Sequence, residues 1–565
     1  NVYAIPVGDG EPVALTESTT ESIFARGYFP ADERFLYSSD EGGNELTHIY
    51  VREVDGSIVD VTPGEGHKAS FYGWARDDAS FFVGTNERDQ RFFDVYEVSA
   101  ATYEREMLYT NDEGLYFADI TADRNTLALT KVHTRNNSDI YLYHRDREEL
   151  EHLTPHEGDI NHNPQMFSVD GSELYFLTDL DSEYRYLVAH DLAMSTRREV
   201  VRAEADVWYA YLSKSGKYLV AGVDDDASLD LRLHELPSMA RVPMPPLPKG
   251  EPSSVSLSAD DSRMAIYLSS SRIPRDLFYH ELGTGDVKRL TSSLTTQIEP
   301  QHLVDGQVVR FASFDGLEVP GILYKPHDAS ADSPAPALVW VHGGPGGQSR
   351  LGYSGLIQYL VNHGYVVYAI NNRGSSGYGK TFEALDNQKH GEGDLDDCVE
   401  SRTMLVETGY VDADRIGILG GSYGGYMTLA ALTFRPEAFA VGVDLFGISN
   451  WHRTLQNIPP WWEAFRASLE KEMGDFDDEE YHKSISPLFH SEQIVRPLMV
   501  LQGANDPRVL QIESDEIVEA VKANGVPVEY IVFDDEGHGF AKKKNRIAGF
   551  RAIREFLDLH LRDKE

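Results

Sequence analysis

Residues 1 to about 300 repeat a two-strand signature at a nearly constant interval, and few folds accommodate such an interval. Tyr3, Tyr50, Tyr96, Tyr141, Leu187, Leu231 and Leu277 follow one another at 44 to 47 residues. Each lies in a short apolar strand, followed by a polar turn and a second strand, which closes on pairs such as Leu15-Thr16, Val61-Thr62, Leu153-Thr154 and Leu290-Thr291. Between these units a Ser/Asp/Gly turn feeds another apolar run. Ser168-Val169-Asp170-Gly171-Ser172 precedes Leu174–Leu177, and Ser258-Ala259-Asp260-Asp261-Ser262 precedes Met264–Tyr267. Turns of this kind between alternating runs mark antiparallel hairpins. Four short strands per ~45 residues is the period of a β-propeller blade. Seven copies predict seven blades. The first copy lacks its upstream turn–strand element, so blade one is incomplete and ring closure is left open. A two-sheet sandwich is the alternative that the regular period disfavours.

Near residue 305 the texture changes. A hairpin at Phe311–Gly316 and a polar, Pro-containing linker give way to alternating strands and helices. Strands are predicted at Ala337–Val341, Val366–Asn371, Ile416–Leu419, Val441–Leu445, Leu498–Gln502 and Val528–Phe533. Helices are predicted near Gly355–Asn362, Leu395–Glu407, Gly425–Phe434, Ile512–Ala523 and Ile547–Leu561. Such alternation implies a mostly parallel sheet covered on both faces. The expected architecture is therefore an N-terminal all-β propeller over residues 1–305 and a C-terminal α/β-hydrolase domain over 306–565.

Gly420-Gly421-Ser422-Tyr423-Gly424 joins the strand ending at Leu419 to a helix-forming run. A Gly-x-Ser-x-Gly at such a junction is a nucleophile elbow, which lifts the serine above the sheet. A serine hydroxyl needs a base, and the base needs a group that holds it. Two later strands end in Gln502-Gly503-Ala504-Asn505-Asp506-Pro507-Arg508 and Asp534-Asp535-Glu536-Gly537-His538-Gly539-Phe540. The order Ser422, Asp506, His538 is that of the α/β-hydrolase fold. Asp534 and Asp535 are rival acids, close to His538 in sequence only. His342, His363 and His390 read as structural histidines.

Acyl transfer also needs donors for the developing oxyanion. The Tyr423 N–H is one, and Val341-His342-Gly343-Gly344-Pro345-Gly346-Gly347 supplies the second from Gly344, with Gly343 in reserve. Arg373–Gly379 lacks the lysine and spacing of a phosphate cradle and reads as a turn beside the active site. No metal site and no cofactor are expected, since the sequence carries no His-Glu-x-x-His, no cysteine pair and no Walker loop. Cys398 is the lone cysteine, which precludes an intrachain disulfide and fits a reducing, cytoplasmic setting. Periplasmic or secreted placement stays open, because the chain begins at Asn1.

With these motifs in hand, the chain closely resembles the prolyl oligopeptidase family of serine peptidases, in its acylaminoacyl-peptidase and dipeptidyl-aminopeptidase branch. The matches are His342–Pro345, Asn372–Gly379, Gly421–Tyr426, Gln502–Val509 and Glu536–Phe540; the propeller half matches in architecture rather than motif. The resemblance implies a peptidase whose propeller caps the hydrolase and admits short peptides. It also implies that Arg508 pairs with a substrate carbonyl or carboxylate through its planar donor fork. The branch's paired-glutamate motif has Glu148-Glu149 as its visible counterpart, at a hairpin turn of the repeat, which does not support strict dipeptide release. Phe446, Trp451, Ile458, Trp461 and Trp462 offer an aromatic and apolar wall for the side chain preceding the cleaved bond.

The sequence thus reads as a serine peptidase acting on short or N-acylated peptides through an acyl-enzyme, with an apolar P1 preference. A carboxylesterase with the same triad, or a propeller binding protein with an inactive hydrolase domain, are the alternatives. The sequence leaves room for a homo-oligomer.

The formal charge is −41, from 92 acidic and 51 basic residues. That balance argues against nucleic acid and anionic membrane as partners. The acid is dispersed along the chain rather than gathered in a tail, which points to a protein adapted to salt. Self-repulsion of this kind falls as salt shortens the screening length from about 30 Å at 0.01 M to about 3 Å at 1 M. Thermal unfolding followed by circular dichroism is expected to move several degrees upward across that range, and a midpoint that falls or stays fixed contradicts the reading.

Overall fold

Short antiparallel strands build the N-terminal half, each feeding the next through a turn. The computed structural model describes every residue except Asp9, Lys249, Lys564 and Glu565. Among the described residues there are six four-stranded sheets, not seven. The first runs through Phe24–Tyr28, Phe35–Ser39, His48–Arg52 and Ile58–Asp60; the last ends at Val287–Arg289. The seven-blade expectation is corrected by the phase of the repeat. Tyr50, Tyr96, Tyr141, Leu187, Leu231 and Leu277 all fall in the third strand of a blade. Tyr3 occupies the equivalent place in a two-stranded hairpin, Tyr3–Ala4 with Val13–Ala14, which has no upstream strands to complete it. The Lys288 ammonium ties this hairpin to the sixth blade by donating to the Val7 carbonyl at 2.8 Å.

Blades stack face to face. Leu36, Ile49 and Val51 of the first meet Phe81, Val83 and Val98 of the second. A second strand therefore has neighbours on both faces, and Ser80–Thr85 and Tyr218–Asp224 are buried throughout rather than alternating. The threonine closing each repeat has a physical task. Its hydroxyl accepts the N–H of the third strand in four copies: Val2 to Thr16, Ile49 to Thr62, Ile140 to Thr154 and Leu277 to Thr291, at 2.8–2.9 Å. In two of these the hydroxyl donates onward to a carboxylate, Asp139 at 3.1 Å or Asp276 at 2.8 Å.

The C-terminal half is one eight-stranded sheet. Its spatial order is Gln307–Ala312, Glu318–Tyr324, Val366–Ile370, Ala335–Val341, Val411–Gly421, Gly442–Leu445, Leu498–Gly503 and Val528–Phe533. The first two strands pair antiparallel to their neighbours and the remainder run parallel. Alternate residues feed two cores. Leu338, Leu419 and Val443 face Leu360 of helix Gly355–Asn362 and Phe556 of helix Lys543–Leu557. Val339 and Ile418 face the helices Gly393–Glu407, Tyr423–Phe434 and Gln511–Ala523. Cys398 is buried in the first of these three. Between Leu445 and Leu498 the chain adds short helices Trp451–Gln456, Arg466–Met473 and Glu479–Ser484, which the sequence periodicity did not announce. No helix of the described residues is long and apolar enough to cross a membrane.

Thr154 is buried, and Thr154→Val leaves the Ile140 N–H without its acceptor. An unsatisfied buried donor costs about 1–3 kcal/mol. Urea denaturation of the full chain should show a loss of that size in the propeller transition, and a loss below a few tenths contradicts the assigned role.

Candidate active site

Strand Val411–Gly421 runs into helix Tyr423–Phe434 with one residue between them, Ser422. Ser422 takes φ 58° and ψ −119°, a region that non-glycine residues enter at a cost of about 1–3 kcal/mol. The turn closes because the helix start lies directly on the neighbouring strand: a side chain on Gly424 would overlap the Val341 carbonyl. Ser422 N–H donates to the Leu445 carbonyl at 2.9 Å, which pins the elbow to the next strand.

The two following strands deliver the other members. Asp506 is buried behind Leu498–Gly503 and accepts the Arg508 N–H at 2.9 Å and the Val509 N–H at 3.0 Å on one oxygen. Its other oxygen lies 2.7 Å from His538 Nδ1, so Nδ1 carries the proton and Nε2 is the basic nitrogen. The rival acids point elsewhere. Asp535 pairs with Lys542, Lys544 and Asn545, whose donors hold its carboxyl down at about 2, and Asp534 is exposed. Phe446 joins the two halves, its ring 4.8 Å from that of His538 and its edge against Gly421. Among the described residues Ser422 and His538 are not joined by a hydrogen bond; both border Phe446. Such contacts commonly tighten only when substrate is present.

The glycine loop after Ala335–Val341 reaches the same point. A Cβ on Gly343 would sit 3.4 Å from Ser422 Cβ, while Gly344 turns into its own loop against Gly346 and Gly347. His342 holds this loop through Gly343 and Ser375 at 2.8 and 2.7 Å, and burial pushes its pKa down to about 4. His390 is buried against the Tyr423 hydroxyl and held near 3 by burial; His363 ends a helix against Tyr359. Segment Arg373–Gly379 buttresses the loop, Ser376 N–H donating to Gly347 at 3.1 Å.

The expected substrate wall is dispersed. Phe446 alone touches His538. Trp451 is buried beneath Tyr423 and Tyr426, and Ile458 packs on the core. Trp461 and Trp462 lie at the domain seam, under Lys68 and Arg508. Arg508 donates to Glu45 of the propeller at 2.6 Å. Glu148 and Glu149 occupy a strand turn, Glu149 pairing with Arg147 at the surface.

Sequence reasoning missed what the propeller contributes. Gly42 accepts from the Asn505 amide at 3.0 Å, and Gly43 packs so closely on Gly537 that a side chain on either would overlap backbone. Asn505 and Gly537 flank Asp506 and His538. Arg135, at the tip of the hairpin Thr126–Thr134 to Asn137–His144, covers Gly346 and pairs with Glu472 at 2.7 Å and Glu383 at 3.4 Å. An arginine or glutamate on a loop carries no signal of a partner hundreds of positions away.

Comparison with known proteins agrees with this architecture. The prolyl oligopeptidase family matches residues 352–564, and its N-terminal β-propeller domain matches residues 19–293. The chain is 34% identical to dipeptidyl aminopeptidase BIII of Pseudoxanthomonas mexicana, over 98% of this chain and 82% of that protein. It is 27% identical to dipeptidyl peptidase family member 6 of Caenorhabditis elegans, over 96% and 79%. A puromycin-hydrolyzing peptidase of Mycobacterium tuberculosis shares the fold, with a TM-score of 0.84, 19% identity and coverage of 99% and 91%. A serine on a strained elbow, a histidine held by a buried aspartate and a propeller seated on both their loops thus accompany a match along nearly the whole chain, which belongs to the prolyl oligopeptidase family of serine peptidases.

Proposed function

We propose that the chain hydrolyses short peptides through an acyl-enzyme on Ser422. His538 Nε2 takes the hydroxyl proton as Ser422 Oγ attacks the scissile carbonyl, and returns it to the departing amine. Asp506 keeps the proton on Nδ1 and stabilises the imidazolium. The N–H groups of Tyr423 and Gly344 receive the oxyanion. Water then repeats the sequence on the ester and frees the acid. The observation that carries this reading is the 2.7 Å Asp506–His538 contact at the ends of the two strands beyond the elbow. An apolar P1 side chain is supported by the aromatic surroundings of the nucleophile, Phe446 on one side and Tyr423 with Trp451 on the other. Arg508 is a further substrate contact, on exchange of its Glu45 partner. Access from the seam between propeller and sheet supports short chains over folded proteins, and a dry site strengthens each dipole within it.

Ser422→Ala should lower kcat by on the order of 10⁴-fold or more with an unchanged unfolding transition. A fluorophosphonate probe should label the parent protein and not the variant. Turnover confined to short nitrophenyl esters, with aminoacyl anilides untouched, would defeat the peptidase reading.

Gly537→Ala offers a separate check on the acid–base loops, because its methyl group collides with Gly43 backbone. Displacing His538 by about 1 Å is worth on the order of 10²-fold in rate. The loss should appear in kcat; a loss in KM alone contradicts it.

A further inference from the structure

Behind the glycine loop, Arg135 of the propeller and Glu383 and Glu472 of the catalytic half enclose a cavity of about 30 Å³. One water needs roughly 10–15 Å³ of such space, so it holds a single small polar group. Glu472 is 3% exposed, and its Oε1 lies 2.7 Å from Arg135 Nη1 without hydrogen-bond geometry, which leaves that oxygen with no hydrogen-bond donor. Asp386 is buried nearby with neither oxygen hydrogen-bonded, 3.9 Å from His390. Asp394, also buried, receives the Tyr423 hydroxyl. Against these four carboxyl groups stand Arg135, with Lys471 and Asp159 at the cavity wall. His390 is neutral, held near 3 by burial. The surplus is negative, and the spare acceptor faces a space the size of an ammonium group.

The cavity is placed for substrate. The Arg135 guanidinium lies on Gly346, and Gly343 of the same loop touches Ser422. A peptide with its reacting carbonyl at Ser422 and its cationic end at Glu472 crosses one loop and one guanidinium, a few extended residues at about 3.5 Å each.

We propose that Glu472 and Glu383 bind a primary ammonium group of the peptide substrate in this cavity. The inference rests on the peptidase reading for its ligand but not for its measurement. Buried carboxylates without enough cations are destabilised until a cation joins them. Burial pushes the Glu472 carboxyl up to about 7, with Arg135 opposing and Glu383 adding to the rise. Burial also raises Glu383, against the pull of Arg135 and Arg185. An ammonium needs the ionised carboxylate, so its binding strengthens as pH rises through about 7, and weakens once the α-amine loses its own proton near 8.

The test is equilibrium binding to the full-chain Ser422→Ala protein, which needs no turnover. Calorimetry would compare Ala-Phe-amide, acetyl-Ala-Phe-amide and acetyl-Lys-Phe-amide. Preference of at least tenfold for the first over the second assigns the ammonium to the peptide amino end; the same preference for the third over the second assigns it to a side chain. In either case the ratio should collapse toward one when Glu472→Gln is added. Glu383→Gln provides the same readout if the first substitution unfolds the chain. Equal binding of all three ligands, tighter binding of the acetylated alanine peptide, or a preference that survives both substitutions overturns the proposal. Failure of the peptidase reading is seen separately, as a parent protein that fluorophosphonate leaves unlabelled.

Discussion

The contact on which the catalytic half depends is the crossing of helix Tyr423–Phe434 over strand Ala335–Val341. Only a bare backbone at Gly424 lets the helix lie on the Val341 carbonyl. That approach forces Ser422 into its left-handed conformation, and the strain persists because its surroundings do not yield. Strand Val411–Gly421 is paired on both sides, to Ala335–Val341 and Gly442–Leu445, and Leu419, Val339 and Val443 have no exposed surface. Close-packed interiors resist the small shifts that would relax such a turn. The nucleophile's exposure above the sheet is therefore a property of the core beneath it.

The second organising constraint lies between the halves. Each catalytic loop is short and would be mobile if it stood alone. The propeller removes that freedom at chosen points: Gly42 and Gly43 at the acid and base loops, Glu45 at Arg508, and Arg135 at the glycine loop. Other blades add attachments further from the chemistry. Glu183 accepts from Thr381 N–H and hydroxyl, and Asp224 with Glu251 holds Arg350. A lid could exclude large substrates while touching nothing else. This one also sets the positions of the groups that react.

Local chemistry made much of this legible in the sequence. The elbow, the acid loop and the histidine loop each follow a strand within a few residues, so glycine, aspartate and histidine at those places speak for themselves. The strand–helix alternation did the same for the sheet. Blade number was less legible, because the repeat counts outer hairpins, and the hairpin at Tyr3 is one without being a four-stranded sheet. Trp451 and Ile458 illustrate a second limit: an aromatic or apolar residue after a catalytic strand can face either the substrate or the core, and three-dimensional crowding around Tyr426 decided for the core. Arg135, Glu45, Glu383 and Glu472 were illegible for a third reason. Each acquires meaning only from a partner on the opposite domain.

The pairing of Arg135 with Glu472 has a consequence for a protein so rich in acid. Dissolved ions gather around charges that water can reach, and in strong brine they dull the attraction between exposed partners such as Arg147 and Glu149. Glu472 lies beneath the surface where no mobile counterion travels. Concentrated electrolyte would thus quieten the outer shell while leaving the fastening between propeller and catalytic half at full strength.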